Sequence, residues 1–462
     1  MAGIGFELRK IFSHTTISSR IRGIAFATMT TIGPTLIFLV MLLSINITLR
    51  SLNVPEPKQI FFSAATLYIF LFAIIVTGTT GTTITRFISD RIHDAEEDYI
   101  PSAMLGTSTL ISALCAVFAG GMVILLVLDG VNDLWLLVPL YLLAIIVGIT
   151  YNLMFFISAL KEYLKITGAF FVGFIGGALT FWGLNQLSTL DVLAQILIGM
   201  VVLFSLINLI LIYLILTYFN HSNRKYFAFL GYFKKHPYLS LSGFFYILTL
   251  YVPNLLYWMF SSIAVQVSIF RVAPSYDMAL FLAILVNLST PVIFVVKVET
   301  KFFEKYQKYV GSLINGTFAV IEKYRKIMLK TMEIELFYIY EVQLIITIIL
   351  TCAGILLLPM LGFGGMILNY FLLLAIGVYC TYLMYFTVVF LYYFDDQWGS
   401  FITTLTFFLA TLAATILALQ WGVSFYPVAL FVGGMVSWVV GFFRLRTFMG
   451  TINARLYCKS AE

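Results

Sequence analysis

The sequence predicts an all-α integral membrane protein with twelve transmembrane helices in two six-helix lobes, related by a pseudo-two-fold axis along the membrane normal. Three observations predict it. Hydrophobic residues make up 61% of the 462 residues and charged residues only 10%, with a mean hydropathy of +1.01. A soluble chain carries about 25% charged residues. The apolar runs are about twenty residues long and lack two-residue alternation, which selects helices over a barrel. Finally, short motifs recur at about half the chain length, the mark of a duplicated bundle.

The spans fall near 23–48, 60–88, 103–128, 134–160, 165–185, 192–219, 239–261, 277–298, 336–358, 366–393, 400–420 and 425–445. With the N-terminus inside, Lys and Arg divide 24 to 3 between the two sides, and Arg50, Lys58 and Arg271 are the minority. Such a split places both termini of this multi-pass protein in the cytoplasm. The net charge of +6 then reflects topology and anionic lipid, not nucleic acid.

Segment 1–22 carries Ile4, Leu8, Ile11 and Phe12 on one helical face, so it is expected to lie along the inner membrane surface. An N-lobe follows over 23–219, then a basic cytoplasmic linker over 220–238, a C-lobe over 239–445 and a cytoplasmic tail over 446–462. Within the C-lobe, segment 299–335 is amphipathic. Phe303, Tyr306, Val310 and Leu313, then Val320, Tyr324 and Ile327, alternate with lysines around a break at Asn315-Gly316. An interfacial helix pair held by anionic lipid is the favoured reading there, ahead of a docking surface for a cytoplasmic partner.

The repeat is carried by the first and seventh spans. Thr30, Pro34, Leu36 and Phe38 recur as Thr249, Pro253, Leu255 and Tyr257, 219 residues on. In the fourth and tenth spans, Leu153-Met154-Phe155-Phe156 recurs as Leu383-Met384-Tyr385-Phe386, 230 residues on. The segment after the eighth span absorbs the difference. Pro34, Pro253 and Pro291 are candidate helix hinges, since proline removes a backbone hydrogen bond.

The second span holds the least lipid-like stretch, Ile75 onward, IVTGTTGTTITRFISDRI. Wound as a helix, it puts Thr79, Thr82, Thr83, Arg86 and Asp90 within an arc of about 100°. Gly78, Gly81 and Thr85 lie on a neighbouring arc, where another helix can come close. Polar groups facing lipid are costly, so the first arc should meet a wet cavity or another helix. Two readings weigh equally: threonines bonded to their own backbone with Arg86 snorkelling, or one wall of a transport path with Arg86–Asp90 near its inner mouth. Asn152 and Asn287 are further polar candidates for that path. Tyr379, Tyr382 and Phe386 share a mid-membrane face suited to stacking on sugar rings, although helix packing explains them more simply.

Absences narrow the chemistry. The 21 acidic residues lie in loops or near span ends, with Glu341 the deepest, so no carboxylate is poised at the midplane for ion-coupled export. No mid-membrane Arg/Lys cluster would hold a pyrophosphate. The outward acids Glu56, Asp129, Asp133, Asp191 and Asp277 are scattered without histidine, and the four cysteines lack metal-ligand spacing. Neither an enzyme nor a metal or cofactor site is expected.

The opening MAGIGFELRK resembles the N-terminal signature of the PelG family, the multispanning subunit of the Pel exopolysaccharide secretion system. Length, span number and the Gly-Pro of the first span agree with that family, which sits in the polysaccharide transporter branch of the MATE/flippase superfamily. The resemblance implies transport of an N-acetylhexosamine-rich exopolysaccharide (Pel) across the cytoplasmic membrane during biofilm matrix secretion. It also implies three partners: the cytoplasmic glycosyltransferase PelF and the membrane subunits PelD and PelE, with PelD sensing cyclic-di-GMP. It supplies no substrate motif, so the candidate residues above rest on their own chemistry. A lipid-linked oligosaccharide flippase is the alternative, disfavoured by the missing cationic cavity. A membrane scaffold of the synthase complex is another.

Overall fold

A computed structural model describes residues 17–157, 160 and 163–452. Most of the N-terminal amphipathic segment, Lys161 and the last ten residues of the tail lie outside the described residues. The helices are α1 (Ile17–Ser51), α2 (Glu56–His93), α3 (Tyr99–Leu128), α4 (Leu134–Ile157), α5 (Tyr163–Leu187), α6 (Val192–Tyr218), α7 (Leu230–Lys235) and α8 (Pro237–Phe260). After a short hairpin come α9 (Pro274–Val286), α10 (Ser289–Lys297), α11 (Phe303–Asn315), α12 (Phe318–Met360), α13 (Met366–Tyr393), α14 (Gln397–Trp421) and α15 (Val428–Gly450). Twelve stretches are long and apolar enough to cross a membrane, α9 and α10 together making one. Large apolar side chains stand open on them, among them Val117 at 77%, Leu179 at 61% and Leu356 at 73%. Only lipid makes that exposure inexpensive. The chain is a multi-pass, nearly all-helical membrane protein.

Two spans differ from their expected form for local reasons. The eighth is two helices, because α9 ends at Asn287 and the chain restarts as α10, with Pro291 in its first turn. The ninth does not begin near 336. It is the far part of one 43-residue helix that starts at Phe318 in the amphipathic segment. Its charged positions are exposed, as at Lys323, Lys326 and Lys330, or paired, as at Glu322–Arg325 and Glu335–Lys301, so they do not interrupt it.

The described chain forms two compact units. One comprises Gly33–Tyr251 and Ala264–Val272; the other comprises the described residues before Gly33, Val252–Ile263 and those from Ala273 onward. These units cut across the lobes drawn from the sequence. Both divisions within helices fall two residues ahead of a proline: Ile32/Gly33 before Pro34, and Tyr251/Val252 before Pro253. Each proline nevertheless sits inside a continuous helix.

In the first unit, Asn208 on α6 ties to α4. Its amide accepts from Thr150 Oγ1 at 2.8 Å and donates to the Ile146 carbonyl at 3.0 Å. An antiparallel hairpin that the sequence did not announce, β1 (Val265–Val267) and β2 (Phe270–Val272), belongs to this unit. The Phe270 ring sits edge-on to Phe61 and Tyr68, at 5.7 and 5.2 Å. Tyr68 donates to the Arg271 carbonyl at 2.9 Å, and Ser268 bonds Asp129.

The second unit is built around α13, the most enclosed of the twelve spans. At one end of α14, buried Asp396 takes Arg444 in a two-point ion pair, 2.7 Å to Nε and 2.8 Å to Nη2. The same carboxylate accepts from the Gly399 N–H in the first turn of α14 at 3.2 Å. Favourable charge at a helix start and satisfaction of a buried cation are met by one side chain.

Candidate functional site

The polar stripe of α2 is met by a helix. Thr82 donates to the Leu239 carbonyl at 3.0 Å, and Ser240 donates to the Thr79 carbonyl at 3.1 Å, both across to the first turn of α8. Glycines make this possible. A Cβ on Gly243 would stand 2.9 Å from the Gly78 carbonyl oxygen and 2.8 Å from Thr82 Oγ1, and one on Gly78 would strike Ile247 at 2.5 Å. Gly81, one turn along, leaves room for the Phe155 ring of α4. Small residues thus bring α2 and the start of α8 into backbone contact.

The remaining threonines divide between the two readings. Thr77, Thr79, Thr80 and Thr85 donate to their own backbone carbonyls one turn back, as hydroxyls in an apolar helix commonly do. Thr83 does not: it is 1% exposed and its hydroxyl has no partner. A buried unpaired hydroxyl costs about 1–3 kcal/mol, so this one is a tension within the stripe. Beyond it Arg86 pairs with Asp90 at 2.9 Å, both partly open to solvent at the basic end of α2.

Other sequence candidates lie elsewhere. Asn152 is fully buried, its amide donating to Thr107 Oγ1 at 2.9 Å and Ser108 Oγ at 3.0 Å. Asn287 is the hub of a buried network in the second unit. It donates to the Ala283 and Ala375 carbonyls at 3.0 Å each, while its oxygen accepts from Thr347 at 2.9 Å. Gln343 donates to Thr347 at 3.1 Å and accepts from Ser289 at 3.0 Å. This network takes up the backbone groups freed where α9 gives way to α10. Tyr379 is buried and donates to the Tyr340 carbonyl at 3.0 Å. Phe386 is stacked on Phe294 at 4.3 Å with ring planes 5° apart, and Tyr382 lies 6.0 Å from Phe386. The expected aromatic wall is therefore packed core in this structure. Within the first unit, the bonds of Asn152 go to Thr107 and Ser108 and not to the α2 stripe.

One polar cluster was missed. Asp277, in the first turn of α9, accepts from Asn254 at 2.7 Å, from the Trp258 indole at 3.0 Å and from the Ala273 N–H at 3.1 Å. Beside it Tyr257 stacks on Tyr426 at 4.1 Å. The i, i+4 spacing of Asn254 and Trp258 on one face of α8 was a readable signal. Two cavities among the described residues lie apart from this cluster. One of about 120 Å³ lies among Met41, Phe174, Phe181 and Met200, and an open apolar groove of about 380 Å³ runs along Leu110, Leu114 and Phe227. Neither touches the stripe.

Comparison with known proteins follows the same division between fold and chemistry. A family model described as "PelG: Putative exopolysaccharide Exporter (EPS-E)" matches residues 1–457. No curated protein matches the chain. Among solved structures, a multidrug resistance MATE family transporter of the MOP superfamily, in its outward-facing conformation, is similar at TM-score 0.62 and 12% identity, covering 93% of this chain and 96% of that one. A MOP superfamily transporter from Pyrococcus furiosus aligns at TM-score 0.64 and 11% identity, with the same 93% and 96% coverage. A MATE protein in complex with MaD5 aligns at 0.64 and 12%, again covering 93% and 96%. At such identities the likeness is one of fold.

Proposed function

Because the chain belongs to the PelG family of exopolysaccharide exporters, we propose that it carries an N-acetylhexosamine-rich exopolysaccharide across the bacterial cytoplasmic membrane. Its basic side, with both termini, faces the cytoplasm, as the lysine and arginine bias directs. The α2 stripe is the part of the path that the polymer touches, and the start of α8 is the element that covers it. The observation that carries this reading is the seam itself. The Thr82 hydroxyl on α2 donates to the α8 backbone, the Ser240 hydroxyl on α8 donates to the α2 backbone, and glycines bring the two helices into contact.

The chemistry suits a neutral, hydroxyl-rich cargo. Thr79, Thr82 and Thr83 offer donors and acceptors without fixed charge, so a sugar chain is solvated without being trapped. The Arg86–Asp90 pair compensates its own charge at the inner mouth. On this reading the polymer arrives from a cytoplasmic glycosyltransferase, PelF, with PelD and PelE as membrane partners, and the chain itself forms no covalent bond.

The test is a deletion strain, in which extracellular amino-sugar polymer and the pool of lipid-linked sugars are measured together. Lost polymer with an unchanged lipid-linked pool is expected, and restoration by the wild-type chain should follow. Accumulation of lipid-linked sugar would move the function to a flippase. Purified protein in sealed liposomes then separates a conduit from a scaffold, since only the former passes polymer without its partners.

A further inference from the structure

We propose that the α11–α12 hairpin is a docking post for a soluble protein on the basic side, one that offers an apolar cleft rimmed with carboxylates. The argument begins with length. Counting about twenty residues back from Met360 for the hydrocarbon core reaches Glu341. The last charge cluster before it is Glu335, 5% exposed, bonded to Lys301 at 2.8 Å and close to Lys297 at 3.8 Å. Taking even Glu335 as the boundary, Ile327 stands about 12 Å, Val320 about 22 Å and Phe318 about 25 Å beyond it along the helix. The headgroup layer is only about 5–8 Å deep on each side. Helix α12 has no proline before Pro359, so its outer part cannot lie flat on the membrane.

The hairpin is held where it stands. Arg325 pairs with Glu322 at 3.0 Å and donates to the Met449 carbonyl at 3.2 Å, at the end of α15. Tyr309, Ile321 and Met328 fill the space between α11 and the rest of the unit. Yet Ile314 at 77% and Phe318 at 72% are open at the tip, with Val320 and Ile327 open along the outer face. Too distant for lipid, these side chains need an apolar protein surface. Such a rigid, exposed apolar tip loses little entropy on binding.

Charge selects the partner. Val320, Lys323, Ile327 and Lys330 fall within about 80° of one another on the helix, with Lys326 beside them. These three lysines are exposed and have no ion-pair partner among the described residues, whereas Lys308 and Arg325 are paired with Glu304 and Glu322. A second copy would set lysines against lysines, and nucleic acid would leave Ile314 and Phe318 uncovered. An acidic-rimmed protein cleft satisfies both.

The inference rests on the inward orientation proposed above and not on the cargo. The test places a photocrosslinking phenylalanine analogue at Ile314, and separately at Phe318, in the full-length chain in native membranes. A discrete protein adduct larger than the chain, and smaller than two copies of it, is expected. It should fall at least tenfold in the Lys323→Glu/Lys326→Glu/Lys330→Glu variant at equal membrane levels. Absence of a discrete adduct, an adduct of two copies, or insensitivity to charge reversal overturns it. In vesicles containing anionic, chain-brominated lipid, a fluorophore on Phe318→Cys should remain unquenched; quenching assigns the tip to the bilayer. Labelling of Ile314→Cys by an impermeant maleimide from outside intact cells would instead overturn the orientation.

Discussion

The Thr82 hydroxyl on α2 and the Leu239 carbonyl on α8 are hydrogen-bonded at 3.0 Å, where Gly78 leaves room for Ile247 and Gly243 leaves room for Thr82 and the Gly78 carbonyl. A bond of this kind needs both a polar helix face and a backbone close enough to accept. Removing either should open the stripe.

Gly243→Leu is expected to do so. The added side chain would meet Thr82 and the Gly78 carbonyl within 3 Å at its first carbon, an overpacking that costs about 1–3 kcal/mol. With the four native cysteines replaced, Thr83→Cys should resist a permeant maleimide in the parent and label at least several-fold faster beside Gly243→Leu. Equal rates would show that the seam does not cover Thr83.

Asn287→Ala should lower thermal stability without a specific effect on export. Its loss takes from the Thr347 hydroxyl its acceptor and from the Ala283 and Ala375 carbonyls a donor, about 1–3 kcal/mol for buried groups. The melting midpoint in detergent reports the first effect, and exported polymer per folded molecule the second. Thr79→Leu should show the reverse, reducing export with little change in midpoint.

Asp396→Ala should be among the most damaging single substitutions in the second unit. Arg444, whose side chain is partly exposed, would keep its charge without its partner, and losing hydrogen bonds to a charged group costs about 1.5–3 kcal/mol. The double variant Asp396→Ala/Arg444→Met should recover part of the loss, measured as detergent melting midpoint. No recovery would mean that the helix-start bond to Gly399, and not the ion pair, matters most.

Asp191 gives a pH-dependent prediction. Partial burial acts to raise its carboxyl, but Lys58 and the Leu193 N–H at the start of α6 outweigh this and hold it below the ordinary range. A depressed folded value contributes stability above the unfolded value near 4, lost as pH falls through the folded one. The wild-type advantage over Asp191→Asn should therefore be steady at pH 6–8 and shrink below about pH 4. An advantage that grows on acidification would reverse the sign.

Much of the fold was legible because a bilayer demands long apolar helices. The tenth span, 366–393, lies where composition puts it. The ninth span was harder: the amphipathic pair and its break at Asn315-Gly316 were readable, but not that the second helix runs unbroken from Phe318 into the span. The hairpin at Val265–Val272 is too short for a periodic signal. At the site, the polar face of α2 could be read, but not what it meets. The acceptors are backbone carbonyls of Leu239 and Thr79, and every residue type carries one. Asn287 and Tyr379 were polar residues with no stated partner, and only packing shows that each satisfies a neighbouring helix.

The glycine seam has a consequence for the work of parting it. Ile247 of α8 packs over Gly78 and Thr82 of α2 packs over Gly243, so parting the helices draws two short branched side chains off glycines. What is given up is two hydrogen bonds to carbonyl oxygens, and both are groups that a sugar hydroxyl imitates well. On the proposed path, a glycan entering the gap would have to partner the four groups set free, the Thr82 and Ser240 hydroxyls and the Leu239 and Thr79 carbonyls, and sugar hydroxyls suit this because each both donates and accepts. The strand can then advance by many small substitutions, with direction supplied by whatever lengthens it from behind.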